Sequence, residues 1–256
     1  MNVGIIGSGG REHAICEAIN KSQNVNKIYC FPGNAGTAFI AENVEINIEN
    51  FDEFKNFITL NNIKLIIVGP EKPLVDGIVD LLENENIKVF GPNKKASQLE
   101  GSKIFTKKLC EKYRIPTAKF GIFRTEKDAK NFINKTNFPI VIKADGLAAG
   151  KGVYIINSKD EAINAIQEIF QGKFGRAEKL LIEEFLRGEE MSYFIITDGK
   201  TIKSFETAQD HKRVLEGDLG KNTGGMGAYS PSRMINVKLE EKILKKIIEP
   251  TINGLK

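Results

Sequence analysis

Cysteine is scarce in this 256-residue chain, and the three present, Cys16, Cys30 and Cys110, are odd in number and far apart. No two stand at metal-ligand spacing. That argues against a structural zinc site and against the disulfide framework of a small secreted fold, and it predicts free thiols in a reducing, cytoplasmic compartment. Long hydrophobic runs are missing as well. Nowhere do eighteen apolar residues follow one another, so no membrane-spanning helix is expected. The first residues lead into a strand pattern without a basic segment and cleavage site, so no secretory leader is expected. Positive charge is present but thin: the formal net charge is +4, with lysines spread along the chain and not gathered in a patch. This argues against nucleic acid as a partner and allows a preference for small anions at most. With 41% hydrophobic and 27% charged residues, the composition is that of a globular protein with core enough for one large domain or two to three small ones.

The apolar run over residues 2–6 predicts a buried strand. It ends in Gly7-Ser8-Gly9-Gly10-Arg11-Glu12-His13-Ala14, after which Ala14, Ile15, Ala18 and Ile19 recur at helical spacing. A glycine turn between strand and helix presents amides at a helix N-terminus, which suits an anion. The dinucleotide fingerprint is incomplete, because Glu12 stands where the third glycine belongs. The acidic residue due about 20 positions on is also missing, for Lys27-Ile28-Tyr29-Cys30-Phe31 carries no carboxylate. Arg11 suits bidentate recognition of a phosphate monoester, or else a surface pair with Glu12.

A helix is predicted near 51–62, with Phe51, Phe54, Phe57, Ile58 and Ile63 marking one face, then a strand at 64–68, a helix at about 74–85 and a strand at 87–90. Apolar strands alternating with helices predict a parallel sheet covered on both faces. Ligands of such sheets collect at the carboxyl ends of the strands, which places Gly9, Arg11, Glu71 and Gly91 along one crevice. Residues 91–102 read as a link to a second unit. There Ser102 is a candidate N-cap for a helix whose Phe105, Leu109 and Cys110 lie inward, with Lys103, Lys107, Lys108 and Lys112 on the other side.

Within that unit, strands are expected near 119–123, 139–143, 153–156, 179–186 and 191–197, and helices near 126–135, 159–170 and 237–249, the last with Leu239, Ile243, Leu244, Ile247 and Ile248 as its apolar face. Between Pro139-Ile140-Val141-Ile142-Lys143 and the run that begins at Val153 lies Ala144-Asp145-Gly146-Leu147-Ala148-Ala149-Gly150-Lys151-Gly152. The glycines admit close backbone approach and the lysines add mobile charge, so a hairpin lid over a polyphosphate fits this stretch, with a plain glycine-rich hairpin as the alternative. It is not a Walker loop, which needs four residues between its glycines and Ser or Thr after the lysine. Glu190, after the acidic strand end, suits ribose hydroxyls or simply protects a strand edge. The polar stretch from Gln209-Asp210-His211-Lys212-Arg213 to Asn222-Thr223-Gly224-Gly225-Met226-Gly227 has the make-up of a substrate loop. His211 reads either as a catalytic acid or base or as a positioning residue, and the lack of an evident acidic partner favours positioning.

At these residues the sequence resembles the phosphoribosylamine–glycine ligases (glycinamide ribonucleotide synthetases), ATP-grasp enzymes of purine biosynthesis. The resemblance runs in order through GSGGREHA (7–14), PGNAGT (32–37), GPEKPLVDG (69–77), FGPNKKASQLEGSKIFTK (90–107), PIVIKADGLAAGKGV (139–153), EEFLRGEEMS (183–192), QDHKR (209–213) and NTGGMGAYSP (222–231). It implies an α/β fold: a Rossmann-like, parallel-sheet substrate domain over 1–100, a first ATP-grasp subdomain with the lid over 101–190, and the start of a second, incomplete α+β subdomain over 191–256. It implies the ATP-dependent joining of glycine to 5-phosphoribosylamine through a glycyl phosphate, with Mg²⁺ or Mn²⁺. Lys103 and Lys143 would hold ATP phosphates, with Lys107 a lesser companion. Gly146, Ala149, Gly150, Lys151 and Gly152 would form the lid, Glu183, Glu184, Phe185 and Leu186 would face adenine, and Glu190 would bind ribose. Gly9, Gly10, Arg11, Glu12, Pro70 and Glu71 would cradle the phosphoribosylamine together with Thr223, Gly224 and Gly225. Asp210, Lys212 and Arg213 would stand at the phosphate-transfer end.

Two departures accompany the resemblance. Lys221 replaces the family's usual proline, which bears on loop stiffness. Family members also continue well past residue 255 with the Glu and Asn that ligate the metal, so no metal ligand is expected in this chain. The expectation is an N-terminal fragment or one piece of a split enzyme, served by a companion polypeptide, binding nucleotide weakly and catalysing poorly alone. A non-catalytic nucleotide- or phosphosugar-binding module is the alternative, and a dinucleotide-dependent oxidoreductase is a second.

Overall fold

The computed structural model describes residues 1–147, 152–173, 179–217 and 219–256. The chain divides into two compact units, Met1–Gly101 and Ser102–Lys256.

The first unit is built on a five-stranded sheet in the order β3-β2-β1-β4-β5, in which every neighbouring pair is parallel. The strands are β1 (Asn2–Gly7), β2 (Lys27–Pro32), β3 (Glu42–Asn43), β4 (Ile63–Val68) and β5 (Lys88–Phe90). Strand alternation sends β1's Ile6 to one face and Val3 and Ile5 to the other. The first face is covered by α2 (Phe51–Leu60) and α4 (Ile78–Asn84), which bury Phe54, Ile58, Val79 and Leu82. Phe31 meets Phe54 and Phe57 edge to face at centroid distances of 5.0 and 5.6 Å, pairs worth roughly 0.5–1.5 kcal/mol each beyond their buried area. The other face is covered by α1 (Gly10–Asn20).

Three expectations for this unit need correction. The buried side of α1 is Glu12, Ile15, Cys16 and Ile19, whereas Ala14 and Ala18 face solvent; a period-3.6 pattern of small residues leaves the phase of the helix open. Ile63 is the first residue of β4 and not part of the α2 face. The helix expected at 74–85 is two, α3 (Glu71–Asp76) and α4, broken at Gly77, whose φ of +100° is left-handed and ends the first helix. The link at 91–102 contains a further helix, α5 (Lys94–Gly101), with Asn93 Oδ1 accepting the Ala96 amide.

Cys16 and Cys30 join the α1-side core, both fully buried, with their sulfurs 3.2 Å apart. Burial pushes the Cys16 thiol up to about 12 and raises Cys30 as well. Thiolate is the reactive form, so iodoacetamide at mildly alkaline pH leaves both residues unmodified in the native protein and labels both after denaturation. Peptide mass spectrometry checks this; native labelling at free-thiol rates contradicts it.

The second unit holds, among the described residues, a four-stranded antiparallel sheet in the order β6-β9-β7-β8. The strands are β6 (Phe120–Phe123), β7 (Ile140–Ala144), β8 (Val153–Ile156) and β9 (Leu180–Glu184). Helices α7 (Glu126–Ile133) and α8 (Lys159–Phe170) pack on one face, burying Ile133, Ile166 and Ile169 against Ile140, Ile142, Leu180 and Ile182. Helix α6 (Lys103–Tyr113) precedes the sheet, and Ser102 caps it by accepting the Phe105 amide, as the sequence predicts.

Beyond β9 come short antiparallel pairs: β10 (Ile195–Thr197) with β11 (Ile202–Ser204), β12 (Gln209–Asp210) with β15 (Ala228–Tyr229), and β13 (Arg213–Leu215) with β14 (Leu219–Asn222). The strand expected at 191–197 is thus confined to its last three residues. The helix expected at 237–249 is α9 (Val237–Ile243), a π turn over Leu244–Ile248 and α10 (Glu249–Leu255). Pro250 has no amide to continue an α-helical ladder, and the widened turn precedes it. Gly254 lets α10 close on α6, since a Cβ there would come within 2.7 Å of the Tyr113 ring. No helix among the described residues is long and apolar enough to cross a membrane.

Candidate functional site

In the first unit the strand order reverses between β1 and β4, the position at which open α/β sheets bind ligands. The two loops that leave these strands carry Gly9–Glu12 and Gly69–Glu71. They are stitched together at their roots, where the Gly69 amide donates to Ile6 O, and the turn after β2 joins them through the Gly33 amide, which donates to Gly7 O. Glu12 is buried (4% exposed). Its Oε2 accepts the Gly9 amide at 2.6 Å and its Oε1 accepts Arg11 Nε at 3.1 Å. Three glycines make room for it. A Cβ at Gly69 would lie 2.0 Å from Oε1, one at Gly9 would lie 2.8 Å from Oε2, and one at Gly7 would lie 2.6 Å from Cγ.

An internal carboxylate therefore fills the start of α1 in the place where a dinucleotide fold leaves space for pyrophosphate. Arg11 is the exposed arginine paired with Glu12 that the sequence allowed, and Glu12 is the buried member of the pair that orients it. With Nε held, the two terminal nitrogens of Arg11 point outward, each 3.4 Å from Glu71 Oε1, which presents a planar fork beside a carboxylate. Gly10 faces open space, and Pro70 is the N-cap residue of α3.

Asn34 supports this turn and was not singled out from the sequence beyond its motif. Its Nδ2 donates to Ser8 O and Gly9 O, while its Oδ1 accepts the Gly36 and Thr37 amides. The signal was the Pro-Gly-Asn string, an Asx turn waiting for a partner.

In the second unit the side of the sheet away from α7 and α8 carries the charged residues. Lys143 is paired with Leu181, and Glu183 with Val141 and Phe120. Lys143 and Glu183 are therefore diagonal neighbours on one face, and Lys143 Nζ donates to Glu183 Oε2 at 2.9 Å. Lys107 reaches the same carboxylate from α6 and is buried, which corrects its expected outward position; its Nζ lies 3.3 Å from Glu183 Oε1. The turn after β7 is stapled to the start of α6. Ser102 Oγ donates to Asp145, the Ile104 amide donates to Asp145 Oδ1, and Lys103 Nζ donates to Gly146 O at 2.7 Å. Gly146 has φ +95°, a conformation that favours glycine. Lys103 and Lys143 are thus brought to the two sides of one hairpin turn. Ala149, Gly150 and Lys151 lie outside the described residues; Gly152 closes the hairpin by accepting the Ala144 amide.

Glu184 is tied to Lys119, whose amide its Oε1 accepts, and Phe185 and Leu186 follow the strand with Leu186 exposed. Glu190 pairs with Lys212, whose Nζ is also 3.7 Å from Asp210. The hydrogen bond that Lys212 donates to Glu190 holds its ammonium above the usual range, and Asp210 adds to this. The glycine loop folds back on these residues: the Thr223 amide and hydroxyl both donate to Lys212 O, and the Gly225 amide donates to Thr223 Oγ1. Arg213 instead turns to Gly220 O. Gly224 faces open space. Asp210, Lys212, Glu190, Thr223 and Gly225 therefore form one exposed cluster. His211 stacks on Tyr229 at a centroid distance of 6.0 Å, which suits a positioning residue. Among the described residues no grouping of three or more His, Cys, Asp or Glu side chains could hold a metal ion.

Residues 1–100 match the family described as phosphoribosylglycinamide synthetase, N domain, and residues 101–256 its ATP-grasp (A) domain. The chain is 51% identical to phosphoribosylamine–glycine ligase of Mesorhizobium japonicum, over 100% of this chain and 60% of that protein. It is similar to the crystal structure of phosphoribosylamine–glycine ligase from Thermotoga maritima, with a TM-score of 0.82, 35% identity and coverage of 99% of this chain and 61% of that one. The biotin carboxylase domain of Hydrogenobacter thermophilus 2-oxoglutarate carboxylase, solved with MgADP, shares the fold at a TM-score of 0.77 and 16% identity, over 99% of this chain and 58% of that one. The chain thus spans about three-fifths of the length of the curated relatives it matches.

Proposed function

Because the chain belongs to the phosphoribosylglycinamide synthetase family, we propose that it supplies the phosphosugar- and nucleotide-binding parts of a carbon–nitrogen ligase that joins glycine to 5-phosphoribosylamine with ATP. In that reaction a glycine carboxylate oxygen takes the γ-phosphoryl group and ADP leaves. The amine nitrogen then attacks the carbonyl carbon of the glycyl phosphate, losing a proton as phosphate departs. Binding and orientation carry most of the catalysis in such transfers.

The observation that carries the reading is that Lys103 donates to Gly146 O in the turn after β7, while Lys143, near the end of that strand, is held by Glu183. The two ammonium groups would meet the polyphosphate, the strand end from Glu183 to Leu186 would face the base, and Glu190 the ribose. In the first unit the Arg11 fork, fixed by Glu12, would take the phosphate monoester, with Gly9, Gly10, Pro70 and Glu71 around the sugar. Asp210, Lys212 and Arg213, with Thr223, Gly224 and Gly225, would serve the transfer end. Magnesium or manganese would neutralise phosphate charge in such a reaction, but the described residues do not by themselves make a cage for it. The relatives are longer single chains, so nothing points to a companion polypeptide. The three buried thiols suit a reducing, cytoplasmic setting.

ADP release measured with ATP, magnesium, glycine and freshly formed phosphoribosylamine, each left out in turn, tests the reading. Release that requires glycine and the amine together supports it. Release that another amino acid supports equally, or that needs no amine, overturns it. For the first unit, Arg11→Lys replaces a planar fork by a point charge and weakens ribose 5-phosphate binding by about tenfold. Isothermal titration checks this, and equal affinity in the variant contradicts it.

A further inference from the structure

Among the described residues the buried charged side chains are Glu12, Lys107 and Glu183. Glu12 orients Arg11, and Glu183 anchors Lys143. Lys107 is left without a role, and a phosphate contact does not suit it, because its ammonium is already engaged. It donates to Thr117 Oγ1 at 2.6 Å and to Ala118 O at 3.2 Å, sits 5.4 Å above the Phe120 ring, and lies 3.3 Å from Glu183 Oε1. That last contact is an ion pair without hydrogen-bond alignment, and Oε1 has no hydrogen-bond partner. One buried carboxylate is therefore shared by two lysines of different kinds. Lys107 is pinned by backbone and hydroxyl groups that a ligand does not displace. Lys143 is 26% exposed and stands at the strand end beside the hairpin turn.

We infer that Lys107 is a positioning residue: a fixed counter-charge that keeps Glu183 paired when Lys143 leaves it for a nucleotide polyphosphate. The inference rests on the nucleotide reading above. A buried carboxylate stripped of its cations is strongly unfavourable. If Lys143 were the only partner of Glu183, its transfer to a phosphate would carry that penalty and the polyphosphate would compete poorly. With Lys107 in place, the carboxylate keeps one cation throughout, and Lys143 exchanges one anion for another.

Titration of the whole chain with ATP and with adenosine, which lacks phosphate, separates this role from a merely structural one. Lys107→Met weakens ATP binding by about tenfold or more and leaves adenosine binding unchanged. Lys107→Arg retains ATP binding, and adding Glu183→Gln to Lys107→Met restores it, because the carboxylate that would hold Lys143 is gone. Lys107→Gln, which keeps a hydrogen-bond donor but no charge, shows the same selective loss of ATP, which keeps the test decisive if Lys107→Met does not fold. ATP binding unchanged in these uncharged variants, or a parallel loss of adenosine, overturns the inference. An unaltered chain that binds adenosine no more weakly than ATP overturns the nucleotide reading itself, and this inference with it.

Discussion

Gly69→Ala destabilises the first unit by about 2–4 kcal/mol, more than is usual for adding one methyl group. A Cβ at that position would stand 2.0 Å from Glu12 Oε1 and 2.6 Å from its Cδ, so the carboxylate has to move. It cannot move without giving up the Gly9 amide and Arg11 Nε, and Glu12 itself is buried; a buried acceptor left unmet costs about 1–3 kcal/mol. For a unit of this size the midpoint falls by roughly 10 °C or more. Gly10→Ala is the internal control. Nothing lies within 4 Å of its added Cβ, and alanine is the better helix former, so stability holds or rises slightly. Glu12→Ala removes the clash along with the carboxylate. The double variant Gly69→Ala/Glu12→Ala therefore loses much less than the sum of the single losses, a coupling that marks two groups in contact. Additive losses in urea unfolding contradict the packing described for this turn.

Glu183→Ala costs the second unit about 3–5 kcal/mol, the range seen when one partner of a buried ion pair is deleted and the other charge stays behind. The charge left behind is Lys107, at 8% exposure, for Lys143 can swing to water. Gln at the same position keeps an acceptor and costs less. The neighbouring Glu184 is the exposed last residue of β9 and accepts a single backbone amide, so Glu184→Ala costs about 1 kcal/mol or less. Denaturant unfolding of the two variants side by side checks the contrast; similar losses contradict the placement of Glu183.

The sheets were legible because their residues are consistent at short range. The apolar runs at 2–6 and 64–68 lie between glycine turns, and the structure makes them adjacent parallel strands. The run at 139–143 with its glycine turn becomes the β7–β8 hairpin. Ser102 announced a helix start and provides one. What failed depended on partners far along the chain. Lys107 reads as one of four lysines on a solvated face until Glu183, 76 positions later in sequence, is paired through the sheet and brought against it. Glu12 reads as a fingerprint violation until Gly69 supplies the space its carboxylate fills. Gly77 looked tolerable inside a helix because nothing local shows that its φ will be positive. The short strand pairs after residue 191 are two to four residues long, too brief for a period of two to register. The motif strings single out the candidate stretches only as strings, and only the fold shows that Arg11 is aimed by Glu12 or that the Thr223 loop folds back on Lys212.

Under the proposed function, the face carrying Lys103, Lys143 and Glu183 receives a nucleotide polyphosphate and the glycine turn at Gly9 does not receive a dinucleotide. Titration of the chain with ATP in magnesium buffer, alongside Lys143→Ala and alongside NAD⁺, tests both halves at once. The expected result is saturable ATP binding, weakened about tenfold or more in Lys143→Ala, and no heat from NAD⁺. ATP binding unaffected by Lys143→Ala, or NAD⁺ binding as tightly as ATP, contradicts it.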